Sequence, residues 1–186
     1  MIKKTELNVV GILQSLMKSF CLPDNFLNIN WILRDDIQEI SRYSKMSVDE
    51  ISEHMASKDG FGYTCKYNSI HLAHAIINVK ARSDKEIHKL YPQDHIGKPI
   101  AFEILEIKIL DELFYREILE LILERLISRL RPISGSYILL FADENEMEML
   151  LALKEIGFTA VGVSRDYFVD RDAFLLKYSV LGKGPL

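Results

Sequence analysis

Apolar and polar positions along this chain fall into blocks of two periods, helical and strand-like, separated by turn residues. From Thr5 to Phe20 the apolar residues Val9, Ile12, Leu13, Leu16 and Phe20 recur at helical spacing until Pro23 ends the run, which predicts an amphipathic N-terminal helix. Leu27 to Leu33 suits a short strand, and Asp35 and Asp36 then stand where a helix N-terminus favours negative charge, predicting a helix through Tyr43. Ser47 with Glu50 three residues on forms a capping box for the next helix, whose apolar face carries Ile51 and Met55. Gly60 and Gly62 punctuate the chain before Tyr63–Tyr67, and Asn68-Ser69 joins that run to Ile70–Val79 as an antiparallel hairpin.

Residues Lys80 to Pro99 are polar and broken by prolines, so they read as a long loop. Ala101 to Leu110 has the Ile/Leu content of a central strand, with its charged positions turned toward a cleft or edge. Glu112 to Leu130 has helical periodicity, stopped by Pro132 and Gly135. A buried strand follows at Tyr137–Ala142, then a helix opened by Asp143 and Glu144 and closed by Gly157, then strands at Thr159–Val163 and Ala173–Val180.

The chain has 186 residues, 48% hydrophobic and 27% charged, which is enough apolar material for one core and gives no reason to divide it. A formal net charge of −4 supplies no overall field for phosphate backbones, so no nucleic-acid partner is expected. The basic residues Lys3, Lys4, Arg125, Arg129 and Arg131 read as solvated faces. No apolar run reaches the roughly 18 residues of a spanning helix and the start lacks a secretory pattern, so no membrane partner is expected and the cytoplasm is the default location.

Cys21 and Cys65 lie far apart without a metal-ligand pattern and read as free thiols. No glycine-rich phosphate loop precedes a helix. His71 and His74, three apart in a strand, are expected on opposite faces, which argues against a shared metal. His88, Tyr91, Asp94 and His95 gather in the polar loop and read as solvent-exposed; no metal site is expected.

The element order, together with Ile29-Asn30-Trp31-Ile32-Leu33-Arg34-Asp35-Asp36-Ile37, Gly157-Phe158, Val161-Gly162-Val163, Arg165-Asp166-Tyr167-Phe168 and Asp172-Ala173-Phe174-Leu175-Leu176, resembles the GCN5-related N-acetyltransferases, in particular the ribosomal-protein alanine acetyltransferase branch. The resemblance covers about Asn28 to Val180. It implies an α/β (α+β) domain at 28–186, with a mixed central sheet flanked by helices, and leaves 1–27 as an added helical extension packed on it. It also implies acetyl-CoA or CoA as cofactor, lying between the fourth and fifth strands with its pyrophosphate on the amides that open the next helix. By position, Ile109, Leu110 and Arg116 would contact it.

Several positions depart from that family's pattern. Glu117 and Leu119 stand where the pyrophosphate loop has glycines, so a carboxylate opposes the phosphates and side chains obstruct backbone approach. Phe141 replaces the glutamate base, Leu153 the tyrosine acid, and Glu146 an asparagine that Asn145 could supply one residue earlier. The remaining catalytic candidates are Glu103, Glu106 and Tyr167, beside Asp143 and Glu144 near the cleft. Two functions fit: a degenerate acetyltransferase acting as a ligand-binding or protein-interaction module, with a protein partner or a second copy meeting its N-terminal helix or the loop 80–99, or an active acyl-CoA-dependent N-acyltransferase acting on an amine.

Overall fold

The computed structural model describes residues 27–81, 100–112, 114–131, 135–168 and 171–180. The expected N-terminal extension with its helix Thr5–Phe20, Cys21, and the loop residues His88, Tyr91, Asp94 and His95 lie outside them. A short strand β1 (Asn28–Trp31) leads through a 3-10 turn (Arg34–Asp36) to α1 (Ile37–Ile40) and α2 (Val48–Ala56). Strands β2 (Gly60–Tyr67), β3 (Ile70–Ala81) and β4 (Ile100–Ile109) follow, then α3 (Tyr115–Leu130), β5 (Tyr137–Asp143), α4 (Met147–Ile156), β6 (Thr159–Phe168) and β7 (Arg171–Ser179). Among the described residues they form one seven-stranded sheet in the order β1-β2-β3-β4-β5-β7-β6.

Short-range chemistry explains the turns. Asn68 and Ser69 take the left-handed conformation (φ 45° and 70°) that a two-residue hairpin needs, joining β2 to β3 as expected. The Ser47–Glu50 capping box forms in both directions, at 3.3 and 2.7 Å. Gly157 closes α4 at φ 111°. Gly60 lies inside β2 rather than before it: a Cβ there would fall 1.9 Å from the His54 carbonyl oxygen, so only glycine lets the chain leave α2 and enter the sheet directly.

Several bounds differ from expectation. Asp111 accepts the Phe114 N–H at 3.1 Å, and this turn delays α3 to Tyr115. β5 continues through Asp143, whose carboxylate accepts the Asn145 N–H at 3.0 Å, so α4 begins at Met147. Lys80 and Ala81 extend β3 because they still pair with Ala101 and Ile100, and β6 runs on to Phe168 against Arg171.

Helices α3 and α4 cover one face of the sheet, where Ile118, Leu119, Ile122, Leu123 and Leu126 pack with Ala75, Ile104, Ile138, Leu140 and Leu153. On the other face α1 and α2 bury Ile37, Ile40 and Ile51 against Ile76. Cys65 is a buried free thiol, pushed up to about 11 by that burial.

Two bulges rephase the sheet. Between Cys65–Ala73 and Lys66–His71 the register shifts by one, leaving Leu72 without an opposite residue on β2. His71 and His74 therefore share a face, 3.1 Å apart from Nε2 to Nδ1, and the opposite-face expectation is overturned because the extra residue cancels half of the strand period. A second shift, at Ile76/Ile77, leaves Leu105 unmatched and brings Glu103 and Glu106 onto that same face.

Candidate functional site

β4 and β5 form the one parallel pair in the sheet, and they pair only from Ala101–Tyr137 to Ile104–Leu140. Beyond that point Leu105–Ile109 of β4 and Phe141–Asp143 of β5 diverge, opening a wedge at the C-terminal ends of both strands. The N-termini of α3 and α4 flank its mouth, an arrangement whose free amides would ordinarily draw an anion.

The surrounding charges oppose that tendency. Asp111, Glu112 and Glu117 stand on the β4–α3 side, and Asp143, Glu144, Glu146 and Glu148 on the β5–α4 side. Arg116, in the first turn of α3, is committed to Glu120 at 2.9 Å and Glu155 at 2.6 Å. Arg171 pairs with Asp143. Tyr115 registers the resulting field: its hydroxyl is pushed up to about 12 by burial and by the negative charge of Glu146 and Glu148. Ile109 is paired with Ala73, and the Leu110 N–H donates to the Leu72 carbonyl at 2.8 Å, so that amide is turned to β3 and away from the wedge. Leu119 is fully buried in the core and does not stand in the wedge; only Glu117 of the two non-glycine residues is exposed.

On the face opposite α3, Glu103 and Glu106 are both nearly nine-tenths buried rather than lining an exposed strand side. Lys80 Nζ lies 2.7 Å from Glu103. Glu106 accepts the Ser44 hydroxyl and the Lys45 N–H, the latter at 3.0 Å. Burial alone would raise the proton affinity of its carboxyl, but His74, Ser44 and the Lys45 amide outweigh that and hold it below the usual carboxylate range. His74 Nε2, at 3.7 Å, is too distant for a hydrogen bond yet near enough to favour the charged carboxylate. Behind it, His71 bridges His74 and the Thr64 hydroxyl, 3.0 Å from its Nδ1, and is lowered to about 4 by burial and by the neighbouring His74.

Tyr167 stacks on Phe141, with ring centroids 4.3 Å apart, and its hydroxyl is raised by burial and by Glu103. The next residue, Phe168, lies 4.4 Å beneath Lys45 Nζ. Because Ser44 and Lys45 hold β4 while Tyr167, packed edge-on against Phe168, stacks over Phe141 of β5, this contact links the two sides of the wedge on that face. The structure thus brings Glu103, Glu106 and Tyr167 into one acidic, aromatic strip, with Arg116 on the opposite side and Ile109 and Leu110 along β4. Sequence reading did not find Ser44, Lys45, Lys80, Tyr115 or Phe168; each is ordinary in its local pattern and joins the site only through distant pairing.

A cavity of about 560 Å³ lies elsewhere, beneath α4 among Leu150, Phe158, Phe174 and Leu176. No carboxylate or imidazole lines it, so the wedge and its acidic strip are the candidate site. Among the described residues no group of His, Cys, Asp and Glu is arranged to hold a metal ion, and no helix is long and apolar enough to cross a membrane.

No protein-family model and no curated protein sequence matches the chain. Solved structures do. The ribosomal-protein-S18-alanine N-acetyltransferase of Escherichia coli superposes with a TM-score of 0.65 at 14% identity, over 85% of this chain and 96% of that one. NAA60 of Arabidopsis thaliana, in complex with a bisubstrate analogue, gives 0.69 at 14% identity over 84% and 99%. A spermidine/spermine N-acetyltransferase of Vibrio cholerae gives 0.58 at 15% identity over 82% and 94%. The chain has the fold of the GCN5-related N-acetyltransferases, as the sequence resemblance implied.

Proposed function

We propose that this chain is an acetyltransferase-fold ligand-binding module that has kept the wedge but exchanged its affinity for an acyl-CoA pyrophosphate for affinity toward a cationic group. The observation that carries this reading is the sign of the charge at the mouth: seven carboxylates stand on the segments beside it, of which Asp143 is paired with Arg171, and its first-turn arginine is bound by two more. A pyrophosphate entering there would meet repulsion where the fold ordinarily offers attraction. A protonated amine would instead meet Glu103, Glu106 and the half-exposed ring of Tyr167.

Titration calorimetry tests this with acetyl-CoA, CoA and spermidine, a polyamine suggested by the structurally similar spermidine/spermine enzyme. The expected result is no heat from either CoA species at millimolar concentration and saturable binding of the amine, weakened by Glu103→Gln. Micromolar CoA binding would overturn it.

An active N-acyltransferase is the second reading, and one observation favours it: Leu119, at a position where the family has a glycine, is packed into the core and leaves the wedge open. In that case Glu103 would take the proton of the acceptor amine, whose nitrogen then attacks the thioester carbonyl and expels the CoA thiolate. Acetyl transfer from acetyl-CoA to spermidine, abolished by Glu103→Gln, would establish it.

A further inference from the structure

The cavity of about 560 Å³ beneath α4 takes no part in the wedge, and its lining runs from core to solvent. Phe158 and Leu176 make a buried floor, Leu150 and Phe174 half-buried sides, and Lys154 with Ala160 an exposed rim. The rim lies at the end of the sheet, because β6 is its last strand. Val163, opposite Phe174 in the ladder and so on the same face, is 59% exposed, and the apolar surface therefore continues from the cavity toward that edge. The volume falls within the roughly 300–1,000 Å³ of small-ligand sites and is too large for a packing gap between side chains.

Most polar groups around it are already committed. The Gly157 N–H donates to the Leu153 and Lys154 carbonyls, both at 3.1 Å, and the Phe158 N–H to Leu153 at 2.9 Å. The Thr159 hydroxyl donates to the Lys177 carbonyl at 3.3 Å. Lys154 is the exception: it is the one charged residue of the lining, and among the described residues it forms no ion pair, its neighbour Glu155 being taken by Arg116. Its place in the last turn of α4 suits a cation, and its stem can lie along the apolar wall with the ammonium in water.

A ligand that satisfies this lining has one anionic head and an apolar body. A sugar or heterocycle would bury donors and acceptors against side chains that offer none. We propose that the cavity binds a medium-chain aliphatic carboxylate, with its chain over Phe158, Phe174 and Leu176 and its head on the Lys154 ammonium. A single negative charge fits better than a phosphate dianion, because the carbonyls that end α4 oppose a second one.

Amide and methyl NMR shifts of the full chain, titrated with decanoate and separately with decanol, test this site apart from anything the wedge binds. The expected result is saturable shifts centred on Leu150, Ala160, Phe174 and Leu176, with decanoate bound about tenfold more tightly than the alcohol. Lys154→Gln should remove that preference by weakening decanoate alone, and Lys154→Arg should keep it. Ala160→Phe, at an exposed position on the rim, should fill the cavity and abolish both titrations while the spectrum elsewhere stays that of the parent. No saturation with decanoate by about 1 mM, equal affinity for acid and alcohol in the parent, or an unchanged preference in Lys154→Gln would overturn the assignment. So would a mass in light scattering that rises with protein concentration and falls as decanoate is added, since the cavity would then belong to an interface between two copies.

Discussion

Replacing Glu117 by glutamine removes one negative charge from the first turn of α3 while keeping a good helix former there. The residue is exposed, so its effect on a bound anion is electrostatic. At roughly 8 Å and an effective dielectric of about 40, each unit of phosphate charge feels about 1 kcal/mol from that carboxylate. A doubly charged pyrophosphate thus gains about 2 kcal/mol, or about 30-fold in CoA affinity at low salt. At about 0.15 M salt the Debye length is about 8 Å and the gain shrinks to roughly three- to fourfold. Calorimetric titration of parent and variant with CoA at both salt concentrations checks this as binding that emerges in the variant at low salt and is absent in the parent. Leu119→Ala is the control, because that side chain is fully buried: it should cost about 2–5 kcal/mol of stability and, like the parent, give no CoA heat at either salt concentration. A folded Glu117→Gln protein that binds CoA no better than the parent at low salt, or whose gain is indifferent to salt, would refute the charge argument.

Other perturbations have equally definite outcomes. His71 is lowered in the folded state, so the unfolded chain binds its proton first; its contribution is complete above about pH 6.5 and is lost as the pH falls toward 4, up to about 3 kcal/mol, and urea midpoints should show that slope in the parent but not in His71→Gln. Gly60→Ala forces a methyl against the His54 carbonyl, and a loss of about 3 kcal/mol or more is expected in thermal unfolding; a loss under about 1 kcal/mol would contradict the close approach. Arg129 covers the rings of Trp31 and Phe61 at 4.4 and 4.9 Å, so Arg129→Ala should cost about 1 kcal/mol and shift the emission of the single tryptophan; an unchanged spectrum would count against the contact.

The features that proved legible were those decided by neighbours in sequence. Asn68-Ser69, the Ser47–Glu50 box and Gly157 each set their turn through their own backbone, and each appears where it was expected. The buried side of α3 was also written in its pattern: Leu119 falls on the stripe of Leu123, Leu126 and Leu130, so its withdrawal into the core could have been read from helical period alone. The two bulges could not. Leu72 and Leu105 are unremarkable strand residues, yet the bulge at Leu72 puts His71 on the face of His74 and the bulge at Leu105 puts Glu103 on the face of Glu106. The contact of Ser44 with Glu106 spans 62 positions and needed the sheet to be assembled first.

The short β4–β5 pairing has a consequence for cooperativity. The meander β2–β4 and the group β5–β7–β6 are each knit by longer antiparallel ladders, whereas four residue pairs form the seam between them. What makes the two halves one folding unit is α3, whose Ile118, Leu119, Ile122 and Leu126 lie in the core common to strands from both sides. The helix thus acts as a cross-brace. Loosening it would let the halves open as separate units along the seam, with amides at Ile104 and Leu140 exchanging before those deep in either ladder.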